Sequence, residues 1–164
     1  MKRILNWNSS DVMTATKLDK LQAIRASEGR VLLAEISLFR PVSMLEDVSD
    51  VELAAAFGAD IILLNGFDVD APNVPSIPVT NNSVIDEIKR LTGRLVGVNL
   101  EAIKQDFTRE DLGSLTTGRV ASEENARKLL NMGADMILLT GNPSTGVTNE
   151  TITEAIKRVQ SAVG

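Results

Sequence analysis

The chain has 164 residues and a net charge of −5, and only 3% of its residues are aromatic. The acidic balance and the scarcity of aromatic rings argue against nucleic-acid binding, which needs basic patches and stacking platforms. Because the chain has no Cys and no His, disulfides, thiolate chemistry and imidazole-based triads are excluded within it. These values predict one cytoplasmic domain, residues 1–164, without a membrane span or a targeting segment.

The first part of the chain, residues 1–29, is predicted to form an N-terminal helical cap. Apolar residues recur at helical spacing at Leu18, Leu21 and Ile24, which predicts one helix over roughly Asp11–Ser27. A glycine at position 29 then ends this helix. The remainder, residues 30–164, is predicted to hold four βα units.

Two segments of the chain repeat each other. Gly58–Gly66 and Gly133–Gly141 both read Gly-Ala-Asp, then four apolar residues, a polar residue and Gly. The apolar blocks Val31–Ile36 and Leu95–Leu100 alternate with them at intervals of roughly 30 to 40 residues, the size of one βα unit. The pattern predicts an α/β fold with four parallel strands: Val31–Ser37, Asp60–Asn65, Leu95–Leu100 and Asp135–Thr140.

Hydroxyl residues mark the start of each following helix. They are expected to be N-caps and are Ser49, Ser83, Ser122 and Thr148, with Thr108 before a further short helix. Connections into the strands are short, whereas those leaving the first three strands are long. This asymmetry is typical of α/β proteins that build a site at the carboxyl ends of their strands.

Polar side chains gather at these same strand ends. They are Glu35, Asn65, Asp68, Asp70, Asn99, Glu101, Thr140 and Asn142. Since Mg²⁺ prefers oxygen ligands and usually one or two carboxylates, Asp68 and Glu101 are the candidate metal ligands. The alternatives are a turn-forming role for Asp68 and a solvated loop carboxylate for Glu101. Glu35 interrupts a strand that reads as buried, which favours a functional or paired carboxylate.

A candidate anion site follows the fourth strand. The loop Gly141–Gly146 resembles a phosphate loop in composition and precedes a helix, although it lacks the Lys and spacing of a Walker loop. A plain Asn-Pro turn is the alternative. Arg40, after the first strand, is a candidate for pairing with a carboxylate or phosphate, the alternative being an ordinary surface arginine.

The segments Ala54–Asn65, Leu91–Glu101 and Gly133–Pro143 resemble an uncharacterised bacterial group filed as phosphoenolpyruvate phosphonomutase-like proteins. The resemblance covers most of the chain and implies the N-terminal half of a TIM barrel. The wider superfamily uses magnesium and enolate-like intermediates at the strand ends. Its DxDxGxG-like metal motif and its catalytic loop with Lys and Cys do not occur in this sequence, so the resemblance bears on the fold more than on activity.

Two classes of function remain open. The first is a magnesium-dependent lyase or mutase that acts on a small carboxylate or phosphorylated carboxylate. Its expected catalytic residues are Glu35 and Asn99, and its metal ligands Asp68 and Glu101. The substrate-binding residues are expected to be Arg40, Asn65, Thr140, Asn142, Ser144, Thr145 and Gly146. The second class is a noncatalytic α/β ligand-binding or assembly module, such as a flavodoxin-like domain.

The predicted sheet also has consequences for assembly. Four strands of a barrel would leave two open edges and an uncovered inner face, and Gly164 follows directly after a helix. We therefore expect a homo-oligomer, or pairing with a separate C-terminal half barrel. The alternative is that the N-terminal helix folds over the open face and covers it.

Overall fold

The structure is a computed structural model that describes residues 2–78, 80–104, 106–108, 113–141 and 146–164. Its strands are β1 Leu33–Ser37, β2 Ile61–Asn65, β3 Leu95–Glu101 and β4 Met136–Thr140. Its α-helices are α1 Ser9–Thr14, α2 Lys17–Ala26, α3 Asp50–Ala56, α4 Val84–Thr92, α5 Glu123–Asn131 and α6 Asn149–Val163. Short 3₁₀ helices cover Ile4–Asn6 and Thr117–Arg119.

The four strands form one parallel sheet in the order β1-β2-β3-β4. The predicted alternation of strands and helices is confirmed, and the strand positions agree with the apolar blocks of the sequence. Paired residues of neighbouring parallel strands point to the same side of the sheet. The register therefore assigns Glu35 and Leu63 to one face, and Asn99 and Leu138 to that same face.

Only the opposite face of the sheet is covered by α3 to α6. Ile62 and Leu64 of β2 and Val96 and Val98 of β3 are fully buried there in the main apolar core. The strands at the two edges are less covered, since Leu33 is 46% exposed and Leu138 is 39% exposed on the face that the helices leave open. The expectation that β1 is a buried strand is therefore wrong, because among the described strands β1 has a neighbour on one side only.

The N-terminal segment forms two helices rather than the single predicted helix. The side chain of Thr16 accepts a hydrogen bond from the backbone N–H of Asp19, and the carboxylate of Asp19 accepts one from the backbone N–H of Thr16. This capping box begins α2 as a helix separate from α1. The two helices pack with Ile61 and Leu95, the first residues of β2 and β3. They cover the amino ends of the strands, so the alternative in which the N-terminal segment folds over the open face holds at that end of the sheet.

The predicted N-caps of the later helices are confirmed. The side chains of Ser49, Ser83, Ser122 and Thr148 each accept a hydrogen bond from the backbone three residues on. The short helix predicted after Thr108 falls on 109–112, which lie outside the described residues. Each cap satisfies a backbone N–H group that the first helical turn would leave without a partner.

The repeated Gly-Ala-Asp segment has the same structural role at both sites. Gly58 and Gly133 have φ values of +95° and +87°, a left-handed turn that a side chain would strain. The carboxylate of Asp60 accepts a hydrogen bond from the backbone N–H of Leu32 at 2.9 Å, and Asp135 accepts one from Val96 at 2.8 Å. Each aspartate thereby joins the start of its own strand to the strand before it.

None of the helices within the described residues combines the length and the apolar character that crossing a bilayer would require.

Candidate functional site

A cleft of about 380 Å³ lies at the carboxyl ends of the strands, on the face that α3 to α6 leave open. It is lined by Glu35, Phe39, Asn65, Asn99, Glu101, Thr140 and Gly141. Every strand contributes at least one lining residue, because parallel strands all end at one edge of the sheet. The structure thus brings together five of the polar residues that the sequence placed at the strand ends.

Glu35 and Asn65 form a pair across the first two strands. The amide of Asn65 donates a hydrogen bond from Nδ2 to Oε1 of Glu35 at 2.8 Å. Glu35 is exposed, and its charge is therefore solvated. The expectation of a functional or paired Glu35 was based on the cost of burying a carboxylate, and that cost does not arise here. The hydrogen bond still fixes the direction in which the carboxylate faces the cleft.

Asn99 and Glu101 are the buried polar residues of the cleft, with 6% and 4% of their surfaces exposed. Oδ1 of Asn99 has no hydrogen-bond partner among the described residues. The backbone around Glu101 is held firmly, since its carbonyl accepts a hydrogen bond from the N–H of Ala121 at 2.8 Å. A buried amide oxygen without a partner is costly, and native proteins seldom keep one unless a ligand uses it.

Asp68 does not line the cleft. Its Oδ1 accepts a hydrogen bond from the backbone N–H of Asp70 at 2.8 Å. A Cβ placed on Gly118 would lie 1.8 Å from this oxygen, so the carboxylate packs against the backbone of another loop. This is the turn-forming arrangement that the sequence left open. The predicted metal ligands, Asp68 and Glu101, are therefore not brought together here, and the described residues hold no cluster of three acidic side chains suited to a metal ion.

Asp70 ties the same loop to α5. Its carboxylate accepts a hydrogen bond from Lys128 at 2.7 Å, and Glu124 lies at the same distance from that amine. These two hydrogen bonds raise the pKa of Lys128 to about 12, so the amine stays charged at every physiological pH. Asp70 acts here as an anchor for the loop and does not line the cleft.

The residues predicted to bind an anionic substrate are divided. Asn65 and Thr140 line the cleft, whereas Arg40 is exposed and pairs with Asp50 at 3.2 Å at the start of α3. Gly146 is exposed and has a φ of +68°. The other three, Asn142, Ser144 and Thr145, lie outside the described residues.

The sequence does not predict one lining residue of the cleft, Phe39, or the arginine beside it, Arg119. Phe39 lines the cleft, and the guanidinium carbon of Arg119 lies 4.9 Å from the centre of its ring. The signal for Phe39 was present, because it is one of four phenylalanines in the chain and follows β1 by two residues. No comparable signal marked Arg119, whose position beside Phe39 depends on a contact between distant loops.

The lining residues give the cleft an acidic character. They include the carboxylates of Glu35 and Glu101, the amides of Asn65 and Asn99, and the hydroxyl of Thr140, and no basic side chain is among the lining residues that the structure describes. Oxygen atoms of this kind suit a hard cation. An anionic substrate would be repelled here unless a cation or a neighbouring arginine offset the two carboxylates.

Comparison with protein families identifies the family of this chain. The family described as "Domain of unknown function (DUF7916)" matches residues 5–164, which include the whole sheet and every residue of the cleft. No curated protein and no solved structure matches the chain. The match covers almost the whole sequence, and the chain therefore belongs to the DUF7916 family.

Proposed function

We propose that the cleft binds a small carboxylate or phosphorylated carboxylate through a divalent cation such as Mg²⁺, as in a phosphonomutase-like lyase or mutase. The observation that carries this proposal is Oδ1 of Asn99, which is buried in the cleft and has no partner among the described residues. A ligand that offers a positive charge or a hydrogen-bond donor would satisfy it. The resemblance of the sequence to phosphonomutase-like proteins points in the same direction.

The residues of the cleft fit a hard cation in their chemistry. Mg²⁺ commonly takes one or two carboxylates and keeps several waters. Glu101 and Asn99 would hold it, with Glu35 reaching it through water, and Asp68 has no part because it lies outside the cleft. A bound cation would offset the negative charge that develops on a substrate oxygen.

The other lining side chains would bind and orient the substrate. Asn65 and Thr140 offer an amide and a hydroxyl beside the proposed cation site. Asn65 already holds one oxygen of Glu35, which leaves the second oxygen of that carboxylate to exchange a proton with a bound substrate. Glu35 is therefore the proposed acid–base residue.

Replacing Glu101 by Gln should weaken Mg²⁺ binding at least about tenfold. Loss of a residue that only hydrogen-bonds to a metal ligand already lowers metal affinity by about that factor, and Glu101 is proposed as a ligand itself. The measurement is isothermal titration calorimetry of Mg²⁺ into the wild-type chain and the variant. Glu123→Gln is the matched control, since Glu123 is an exposed carboxylate on α5 that pairs with Arg127. Equal Mg²⁺ affinities of the wild type and Glu101→Gln would remove Glu101 from the site, and absence of binding to the wild type would reject the cation.

The arrangement of the sheet supports half of a TIM barrel as the architecture. Strands in sequential order with helices on one face are what a barrel requires. A flavodoxin-like sheet would have a reversal in strand order and helices on both faces. In a half barrel the open face of this sheet would be the interior, and the cleft would lie at its carboxyl end.

A second role, in assembly, is favoured by exposed apolar residues near β1. Among the described residues, fifteen large hydrophobic residues are exposed, and seven of them lie in one short stretch of the chain: Leu32, Leu33, Phe39, Val42, Met44, Leu45 and Val48. Exposed apolar side chains that form a contiguous patch mark interaction surfaces, and so many in one short stretch favour such a patch near β1. We infer that a second copy of the chain covers this surface and the open face through a two-fold axis.

Light scattering should therefore give a mass about twice the 17.7 kDa of one chain. Leu33→Glu should shift the mass to that of a monomer, because it places a charge on the open face at the exposed edge strand. Phe57→Glu is the control, since Phe57 is highly exposed after α3, outside this cluster. A wild-type chain that stays monomeric at micromolar concentration would overturn the two-fold assembly.

A further inference from the structure

Arg119 stands beside the cleft without being part of its lining. Its guanidinium carbon lies 4.9 Å from the ring centre of Phe39, within the range of a cation–π contact. Phe39 in turn lines the cleft. A Cβ placed on Gly66 would lie 3.1 Å from the ring, so the glycine at the end of β2 makes room for Phe39 in this position.

The backbone that carries Arg119 is fixed by its neighbours. Asn125 of α5 donates hydrogen bonds from Nδ2 to the carbonyls of Thr117 at 2.8 Å and Val120 at 2.9 Å. The carbonyl of Gly118 accepts another from Val69 at 3.2 Å. The turn is therefore held on both sides, and the arginine projects from a rigid base rather than from a free loop.

The guanidinium of Arg119 takes part in none of the ion pairs between described residues. By contrast, Arg40 pairs with Asp50, and Arg127 pairs with Glu123. The guanidinium offers planar, paired donors that match the geometry of a carboxylate or a phosphate. It also supplies a positive charge, which none of the described lining residues of the cleft carries.

We propose that Arg119 binds the anionic group of the ligand at the rim of the cleft, next to Phe39. This inference rests on the proposed function and names the residue that would select a carboxylate or phosphate. Sequence reasoning assigned the role to Arg40 and to the loop Gly141–Gly146. Arg40 already forms an ion pair with Asp50, whereas the guanidinium of Arg119 contacts the ring of Phe39.

The test is binding of 2-phosphoglycolate, a small anion with one phosphate and one carboxylate, measured by calorimetry with and without Mg²⁺. Arg119→Met should weaken binding about tenfold or more, as expected for loss of a charge-assisted hydrogen bond. Arg119→Lys should retain part of the affinity, because lysine keeps the positive charge but lacks the paired N–H donors of the guanidinium. The matched control is Arg127→Met, which removes an exposed arginine paired with Glu123 and should leave the affinity unchanged.

The outcomes separate this inference from the proposal on which it rests. If Arg119→Met binds 2-phosphoglycolate within twofold of the wild type, Arg119 is not the anion-binding residue, while the cleft and its cation stand. If the wild type binds Mg²⁺ in a manner that depends on Glu101 but does not bind 2-phosphoglycolate, the inference fails, and of the proposed function only the cation site stands. If neither Mg²⁺ nor the anion binds to the wild type, both fail. Circular dichroism of each variant shows that a lost affinity does not come from a lost fold.

Discussion

Asp135→Ala should lower the free energy of unfolding by about 3–5 kcal/mol, the usual cost of removing one partner from a buried ion pair. The carboxylate of Asp135 lies 2.6 Å from the amine of Lys20 and 3.2 Å from that of Lys89. It also accepts the hydrogen bond from the N–H of Val96. Among the described residues, the variant would leave the buried amine of Lys89 with the carbonyl of Gly133, at 2.9 Å, as its one partner. It would also free a backbone donor in the sheet.

The chain supplies its own matched control, because Asp60 occupies the equivalent position in the first copy of the repeat. Asp60 accepts the same kind of hydrogen bond, from Leu32, but its nearest cation is Arg94 at a looser 3.9 Å. Asp60→Ala should therefore cost less, about 1–3 kcal/mol for the unsatisfied donor. Urea unfolding followed by circular dichroism measures both variants. A larger loss for Asp60→Ala than for Asp135→Ala would contradict this account of the repeat.

The order of elements could be predicted because it depends on local patterns. An apolar block of four or more residues between a glycine turn and a polar loop indicates a buried parallel strand, and the repeat of Gly58–Gly66 in Gly133–Gly141 indicates its recurrence. The hydrogen bonds of Asp60 and Asp135 to neighbouring strands could not be predicted in this way. They join residues that are 28 and 39 positions apart, so only the assembled sheet reveals them.

The N-terminal helix was mispredicted for a local reason. The apolar spacing at Leu18, Leu21 and Ile24 predicts one continuous helix, whereas Thr16-x-x-Asp19, inside the same stretch, is a signal for a helix start. In the structure Leu18 is 61% exposed, so the apolar spacing does not mark the buried side of this helix. The capping box is what decides where the helix begins, because it satisfies backbone donors that burial cannot satisfy.

Only part of the candidate site could be predicted from the positions at which the strands end. Residues within the strands, such as Asn99 and Glu101, reach the cleft because side chains alternate between the two faces and the register fixes which side they occupy. Asp68 lies three residues beyond β2, where that alternation no longer applies. Its direction depends on a turn and on contact with Gly118, neither of which can be predicted from strand spacing.

Asn99→Leu should stabilise the ligand-free chain by about 1–3 kcal/mol, the penalty usually attached to a buried polar atom without a partner. Leu has the same branching at Cγ and removes the amide oxygen that the described residues leave without a hydrogen bond. Its register partner, Leu138, is partly exposed, so an added apolar side chain gains a contact there. The same variant should lose Mg²⁺ binding, because the proposed oxygen ligand is gone.

Asn65→Leu is the matched control for the expected gain in stability and loss of Mg²⁺ binding in Asn99→Leu. Asn65 is also an asparagine of the cleft, but its amide already donates to Glu35, so its replacement removes a hydrogen bond and should not stabilise the chain. Urea unfolding with and without Mg²⁺ measures both effects in one experiment. A fold that retains an unsatisfied amide at a cost in stability is expected to do so for a ligand. If Asn99→Leu is destabilising and Mg²⁺ binding is unchanged, Asn99 has a structural role and the proposal loses the observation that carries it.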